Sequence, residues 1–145
     1  VLKAKKCFTM NNSLDACIEN WKDLFNFDAV ESEFELATPY ELSEETAIAI
    51  FVALTLYTQN SYEYGASNVK VMAKHDGSQL ILTHQDNGQG MSRKMLEAYG
   101  KPHTTSKSRG SGLGTYLASR ILESVGMGWQ VESQVDVGTR IILTL

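Results

Sequence analysis

The sequence predicts an α+β domain, a two-layer α/β sandwich with helices on one face of a mixed, mostly antiparallel sheet. Two observations predict the architecture. Helical and strand periodicities alternate along the chain, and two pairs of adjacent strands follow. A third sets the scale: 145 residues, 43% apolar and 21% charged, suit a single domain spanning residues 1–145 with a sizeable core of its own.

The elements follow in order. Residues Lys6 to Met10 read as a short strand. Asn12 or Ser13 caps a helix from about Leu14 to Phe25, whose apolar stripe is Leu14, Cys17, Ile18, Trp21 and Leu24. From Val30 to Leu36, apolar residues mix with Glu31, Glu33 and Glu35, the pattern of a half-exposed strand. Pro39 marks a break. Ser43 then caps a second helix, with Glu44 and Glu45 in the first turn, where the helix dipole favours carboxylates. This helix runs to about Tyr64, is apolar nearly all round and is therefore expected to be buried, and Gly65 ends it. Val69 to Ala73 and Leu80 to Thr83 form a strand pair turning at Asp76-Gly77. Ser92 caps a short helix to about Tyr99, Gly100 to Gly112 is a polar loop, and Leu113 to Val125 is helical. Trp129 to Ser133 and Thr139 to Leu145 close the chain as a hairpin around Asp136-Val137-Gly138.

Bulk properties exclude several function classes. A formal net charge of −4 argues against a broad nucleic-acid surface, which needs a basic face, though not against a small basic pocket. No apolar run reaches the ~18 residues of a membrane span; Ala47 to Tyr57 is about half that and reads as a buried helix. Cys7 and Cys17 are too few for a disulfide framework and lack zinc spacing, so reduced cytoplasmic thiols are expected. The chain begins with Val and carries no signal peptide, as expected of a segment excised from a longer polypeptide.

Three segments carry chemistry. Asn60, near the end of an apolar helix, offers a neutral hard oxygen suited to Mg²⁺; it equally suits a helix end. Tyr64, four residues on, is placed to pack against a flat base or to join the core. Asp86-Asn87-Gly88-Gln89-Gly90 follows a strand. An ionised Asp86 accepts from an exocyclic amine such as adenine's, and Gly88 and Gly90 permit close approach, although the same residues suit an ordinary turn. Gly110-Ser111-Gly112-Leu113-Gly114 runs straight into a helix, where glycine-exposed amides bind phosphate; alone it equally suits a hinge. It is neither a Walker loop nor a dinucleotide fingerprint.

Together these segments resemble the GHKL superfamily of histidine kinases, DNA gyrase, heat-shock chaperone and mismatch-repair ATPases, and sensor histidine kinases above all. Gln59 to Ala66 resembles their asparagine box, and Asp86 to Met91 their first glycine box. Lys101-Pro102-His103-Thr104-Thr105-Ser106-Lys107 resembles the segment after their phenylalanine box, Gly110 to Ala118 the second glycine box, and Gly138-Thr139-Arg140 the closing strand. The resemblance spans Ser43 to Leu145 and implies the Bergerat fold. It implies that Asn60 coordinates Mg²⁺, and that Asp86 binds the adenine amino group. Gly88 and Gly90 would then line the base, with Tyr64 stacked nearby. Gly110, Gly112, Leu113 and Gly114 would flank the phosphates, and Thr139 would support the water network around Asp86. Lys107 or Arg109 would reach the γ-phosphate as catalytic cations. The implied cofactors are ATP and Mg²⁺.

The sequence also departs from the family pattern. Leu56 stands where a Glu or Asn is usual, Glu63 where a cation is usual, and Tyr99 and His103 where Phe is typical. None of His75, His84 and His103 lies in an acidic-flanked helical motif, so each reads as an ordinary surface or structural histidine and the phosphoacceptor is expected elsewhere. The expected function is Mg-ATP binding and γ-phosphoryl donation to a histidine on the protein's own dimerisation domain, with a response regulator downstream. A cytoplasmic location is expected, with no nucleic acid and no direct membrane contact by this domain. The alternatives are a degenerate nucleotide-sensing module and an anti-sigma-type serine kinase. A hydrolytic ATPase lacks its acid at position 56.

Overall fold

The computed structural model describes residues 13–26, 29–36, 40–102 and 113–145. Among the described residues, four helices and a five-stranded sheet carry the fold: α1 (Leu14–Leu24), β1 (Val30–Glu35), α2 (Glu44–Glu63), β2 (Val69–Asp76), β3 (Gln79–Asp86), the short α3 (Arg93–Ala98), α4 (Gly114–Ser124), β4 (Gly128–Gln134) and β5 (Gly138–Thr144). The strand order is β1-β2-β3-β5-β4. Only β1 and β2 run parallel; the other pairs are antiparallel, as the sequence predicts. The expected strand at Lys6 to Met10 and the break at Pro39 lie outside the described residues.

Alternation sets the layers. Val69, Val71 and Ala73 of β2 are buried with Leu80, Leu82 and His84 of β3 and Ile141 and Leu143 of β5. Their neighbours Lys70, Met72, Lys74, Ile81, Thr83 and Gln85 point to the opposite, more open face. On the buried face, α2 lies between α1 and α4. Its central position explains why its sequence is apolar nearly all round: it must meet the sheet and two helices at once.

The caps fix the helix ends. Ser13 and Ser43 each accept from a backbone N–H three residues on, and Ser92 does the same for α3. At the end of α2, Gly65 takes φ +82°; its amide donates to the Tyr62 carbonyl and the Ala66 amide to the Ser61 carbonyl. This is a Schellman closure, in which glycine accommodates the left-handed turn and two otherwise orphaned carbonyls are paired. The same closure ends α4 at Gly126.

Two details differ from expectation. Leu24 is 54% exposed, so the α1 stripe ends at Trp21, where the chain is about to leave the core. Strands β2 and β3 extend three residues beyond the apolar runs on the turn side of β2 and the far side of β3, because ladder pairing continues through His75↔Leu80 and Val69↔Asp86 regardless of side-chain polarity.

Candidate functional site

The extension of β3 delivers Asp86 to the sheet's end, beside the last turn of α2. Its carboxylate is held from three sides. Oδ1 accepts from the Gly88 amide at 2.9 Å and the Thr139 amide at 3.1 Å, and Oδ2 accepts from the Ser61 hydroxyl at 2.5 Å. A carboxylate has about four acceptor positions, two per oxygen. These bonds fill both on Oδ1 and one on Oδ2, leaving one on Oδ2 for a ligand donor.

The loop after Asp86 is clamped at both ends. The Gln89 amide donates to the Tyr64 carbonyl at 3.0 Å, and the Gln89 carbonyl accepts from Asp136 at 2.7 Å, in the β4–β5 turn. The Asn87 side chain accepts from the Ser67 and Asn68 amides at 2.9 Å each and donates to the Ser67 hydroxyl, fastening the start of β2 to the loop. Met91 donates to Ser133 Oγ at 2.8 Å, and Ser133 Oγ lies 2.9 Å from the Thr139 hydroxyl. Thr139 therefore meets Asp86 directly through its main-chain amide, and not through the expected water network, while its hydroxyl serves the hairpin.

Glycine is required here by packing. A Cβ on Gly90, at φ +68°, would overlap the Gln134 carbonyl, and one on Gly88 would press on the Tyr64 carbonyl at 3.0 Å and Asp86 Oδ1 at 3.3 Å. The close approach these glycines make is between one backbone and another, which draws the hairpin onto the loop and brings Thr139 to Asp86.

The remaining candidate residues distribute as follows. Asn60 is half-buried in the last turn of α2, next to Ser61, and its side chain makes no hydrogen bond among the described residues. Tyr64 is half-buried at the helix end. Leu113 occupies the N-cap position of α4, which has no side-chain cap, and Gly114 begins the helix with nothing within 4 Å of an added Cβ. Gly110, Gly112, Lys107 and Arg109, like His103, lie outside the described residues. Among the described residues, no three His, Cys, Asp or Glu side chains are placed to hold a metal ion. A cation at this site would rest on the Asn60 amide oxygen, waters and a ligand's own oxygens, the donor set that Mg²⁺ accepts.

Behind Asp86 lies His84, expected from the sequence to be an ordinary surface or structural histidine. It is structural: 1% exposed and packed against Tyr57, ring centroids 5.7 Å apart. Burial pushes its pKa down to about 4, against a smaller opposing pull from Asp86. Its Nε2 lies 3.1 Å from Thr58 Oγ1, which accepts from Trp21 Nε1 at 2.9 Å and donates to the Leu54 carbonyl at 2.7 Å. A hydroxyl has one proton, so the arrangement that satisfies all three contacts puts the imidazole proton on Nε2. Tyr99 is also buried, and its hydroxyl pKa is raised by that burial, then by Tyr57 and Asp86. Ser61 was missed; the available signal was its place directly after Asn60.

Comparison with known proteins bears on the family and the fold. The family model for histidine kinase-, DNA gyrase B-, and HSP90-like ATPases matches residues 47–145. Sensor histidine kinase ZraS of Escherichia coli (strain K12) is 29% identical over 138 residues, covering 91% of this chain and 30% of that protein. Sporulation kinase D of Bacillus subtilis (strain 168) is 42% identical over 65 residues, covering 45% of this chain and 13% of that protein. The chain thus spans 30% or less of the length of these two relatives. The nucleotide-free catalytic domain of histidine kinase ThkA superposes with TM-score 0.75 at 20% identity, covering 91% of each chain. Mycobacterial sensor histidine kinase MprB superposes with TM-score 0.68 at 16% identity, covering 98% of this chain and 94% of that one. These two structural likenesses establish the fold alone.

Proposed function

Since the chain belongs to the histidine kinase-, DNA gyrase B-, and HSP90-like ATPase family, we propose that it binds Mg-ATP and donates the γ-phosphoryl group to a histidine on a separate dimerisation domain. The observation that carries this reading is the Asp86 carboxylate, pinned by three donors with one acceptor position left. An adenine amino group fits that position. Asn60 would hold Mg²⁺ through its amide oxygen, and the cation would supply neutralisation of the polyphosphate charge. The start of α4, with open space at Gly114, offers backbone N–H groups to phosphate oxygens. Gly110 and Gly112 extend that amide surface, Tyr64 borders the base, and Lys107 or Arg109 stabilises charge on the transferring group.

The transfer needs no base from this chain. A neutral imidazole already carries a free lone pair on one nitrogen. That nitrogen attacks the γ-phosphorus, the bond to the bridging oxygen breaks, and ADP leaves with the electron pair. Water, by contrast, must lose a proton to become a good nucleophile. Leu56, half-buried and packed against the core, cannot take it, which favours phosphoryl transfer to histidine over hydrolysis.

The same reading assigns the domain to the cytoplasm and gives the full protein a response-regulator partner. No helix among the described residues is long and apolar enough to cross a membrane. The test is titration with a non-hydrolysable ATP analogue, with and without Mg²⁺. Saturable binding strengthened by Mg²⁺ and abolished by Asp86→Asn is expected; no saturation at millimolar ligand, or undiminished binding by the variant, overturns the reading. A second reading, nucleotide sensing without transfer, is favoured by Glu63, an exposed anion where the family usually carries a cation. Acid-labile phosphate on the full-length protein supports transfer to histidine. Acid-stable phosphate on a partner serine indicates a serine kinase, and no phosphate at all leaves sensing.

A further inference from the structure

Three hydroxyl side chains line one stretch of α2, and they do not behave alike. Thr55 donates to the Phe51 carbonyl at 2.8 Å and Thr58 to the Leu54 carbonyl at 2.7 Å. This back-bonding to the preceding turn is the usual resort of a hydroxyl inside a helix. Ser61 does otherwise: although 3% exposed, it turns its single proton away from the helix and onto Asp86 Oδ2, 2.5 Å away. The Schellman closure holds Ser61 from the other side, since its carbonyl accepts from the Ala66 amide at 3.0 Å. The hydroxyl is thus anchored in a rigid helix end and aimed at the site.

We infer that Ser61 is a positioning residue that sets the preference of this site for 6-aminopurine nucleotides. The inference rests on the adenine reading of Asp86. Two backbone amides hold Oδ1, and the Ser61 hydroxyl is the donor to Oδ2 among the described residues. Ser61 thereby occupies one of the two acceptor positions on the oxygen left to meet a ligand. The remaining position is thereby fixed in direction as an acceptor, suited to an amino group. A 6-oxo group would bring oxygen against oxygen, and a 6-unsubstituted purine offers no donor. Ser61 acts through Asp86, so its contribution exists only for a base whose sixth position donates.

The experiment measures the affinity of four proteins, the wild-type chain, Ser61→Ala, Ser61→Thr and Asp86→Asn. The ligands, each with Mg²⁺, are a non-hydrolysable ATP analogue, its inosine counterpart and its unsubstituted purine riboside counterpart. Ser61→Ala is expected to weaken the ATP analogue about tenfold, the scale of a lost hydrogen bond to a charged group. The purine riboside analogue, which cannot use Asp86, is expected to keep its affinity within about twofold, and Ser61→Thr to restore the adenine preference. Equal losses for all three ligands show a merely structural role and overturn the inference, as does an unchanged affinity for the ATP analogue. Failure of Asp86→Asn to weaken that analogue is a separate outcome, overturning the adenine reading itself and this inference with it. Should Ser61→Ala not fold, Ser61→Cys, whose thiol is a weak donor in the same place, carries the same comparison.

Discussion

Gly77 and Gly138 both sit at positive φ, +62° and +144°, yet they are glycines for different reasons. An added Cβ at Gly77 meets nothing within 4 Å, whereas one at Gly138 overlaps the main-chain oxygen of Asp86. Gly77→Ala therefore incurs backbone strain alone, about 1 kcal/mol. Gly138→Ala must also push β5 away from β3, at a total of about 3 kcal/mol or more. That shift carries the Thr139 amide off Asp86. Urea unfolding with a nucleotide titration checks both: Gly77→Ala is expected to keep its affinity and Gly138→Ala to lose it, and equal effects on binding would refute the distinction. Residues of this kind differ in how far sequence reveals them. Asp86 was legible as a candidate only beside the other two segments, because alone an acid among glycines after a strand equally suits an ordinary turn. Ser61 was not, because a serine inside a helix has a default partner in the preceding turn, and only the strand arriving opposite supplies a better one. Gly90 was legible as a glycine but not for its reason, since the hairpin it touches lies more than forty residues on.

At the scale of elements, the buried contact of Thr58 with Trp21 and His84 ties α1, α2 and β3 together through one hydroxyl. Thr58→Val keeps the shape and removes that oxygen. The Leu54 carbonyl retains its helix bond, but the Trp21 and His84 N–H groups are left buried without an acceptor. A loss of about 2–5 kcal/mol is expected, with Thr58→Ser costing about 1 kcal/mol or less. Equilibrium unfolding in urea measures it, and a valine variant within about 0.5 kcal/mol of wild type would show that the contacts carry no weight. None of this was readable from the sequence, where Thr58 is one polar residue in an apolar helix. The elements themselves were readable. Caps at Ser13, Ser43 and Ser92 and the stops at Gly65 and Gly77 are local chemistry, and local chemistry survives without the fold. The strand ends were not, because pairing through Lys74, His75 and Gln85 is fixed by the partner strand and not by side-chain character.

The whole molecule inherits a pH dependence from His84. The unfolded imidazole titrates near 6.5, whereas the folded one, desolvated by the core, titrates at about 4. Between those values the unfolded chain binds the proton and the folded chain refuses it, so stability rises with pH across this window. The stability is complete above pH 6.5, falls as the pH drops, and is reduced by the full difference below pH 4. At 1.36 kcal/mol per unit, the difference amounts to about 3 kcal/mol for this buried group, an order-of-magnitude figure. Carboxylates also titrate toward the lower end of the range, so the comparison that isolates the histidine is with His84→Leu, which leaves Thr58 free to serve Trp21 and Leu54. Unfolding free energies measured from pH 7 to pH 5 are expected to fall steeply for wild type and to stay nearly level for the variant. Because His84 lies two residues from Asp86 on the same strand, acid-driven loosening of the core would reach the proposed adenine contact as well. Nucleotide affinity should then fall with stability in wild type and not in His84→Leu. Parallel slopes for the two proteins would remove His84 as the origin of the dependence.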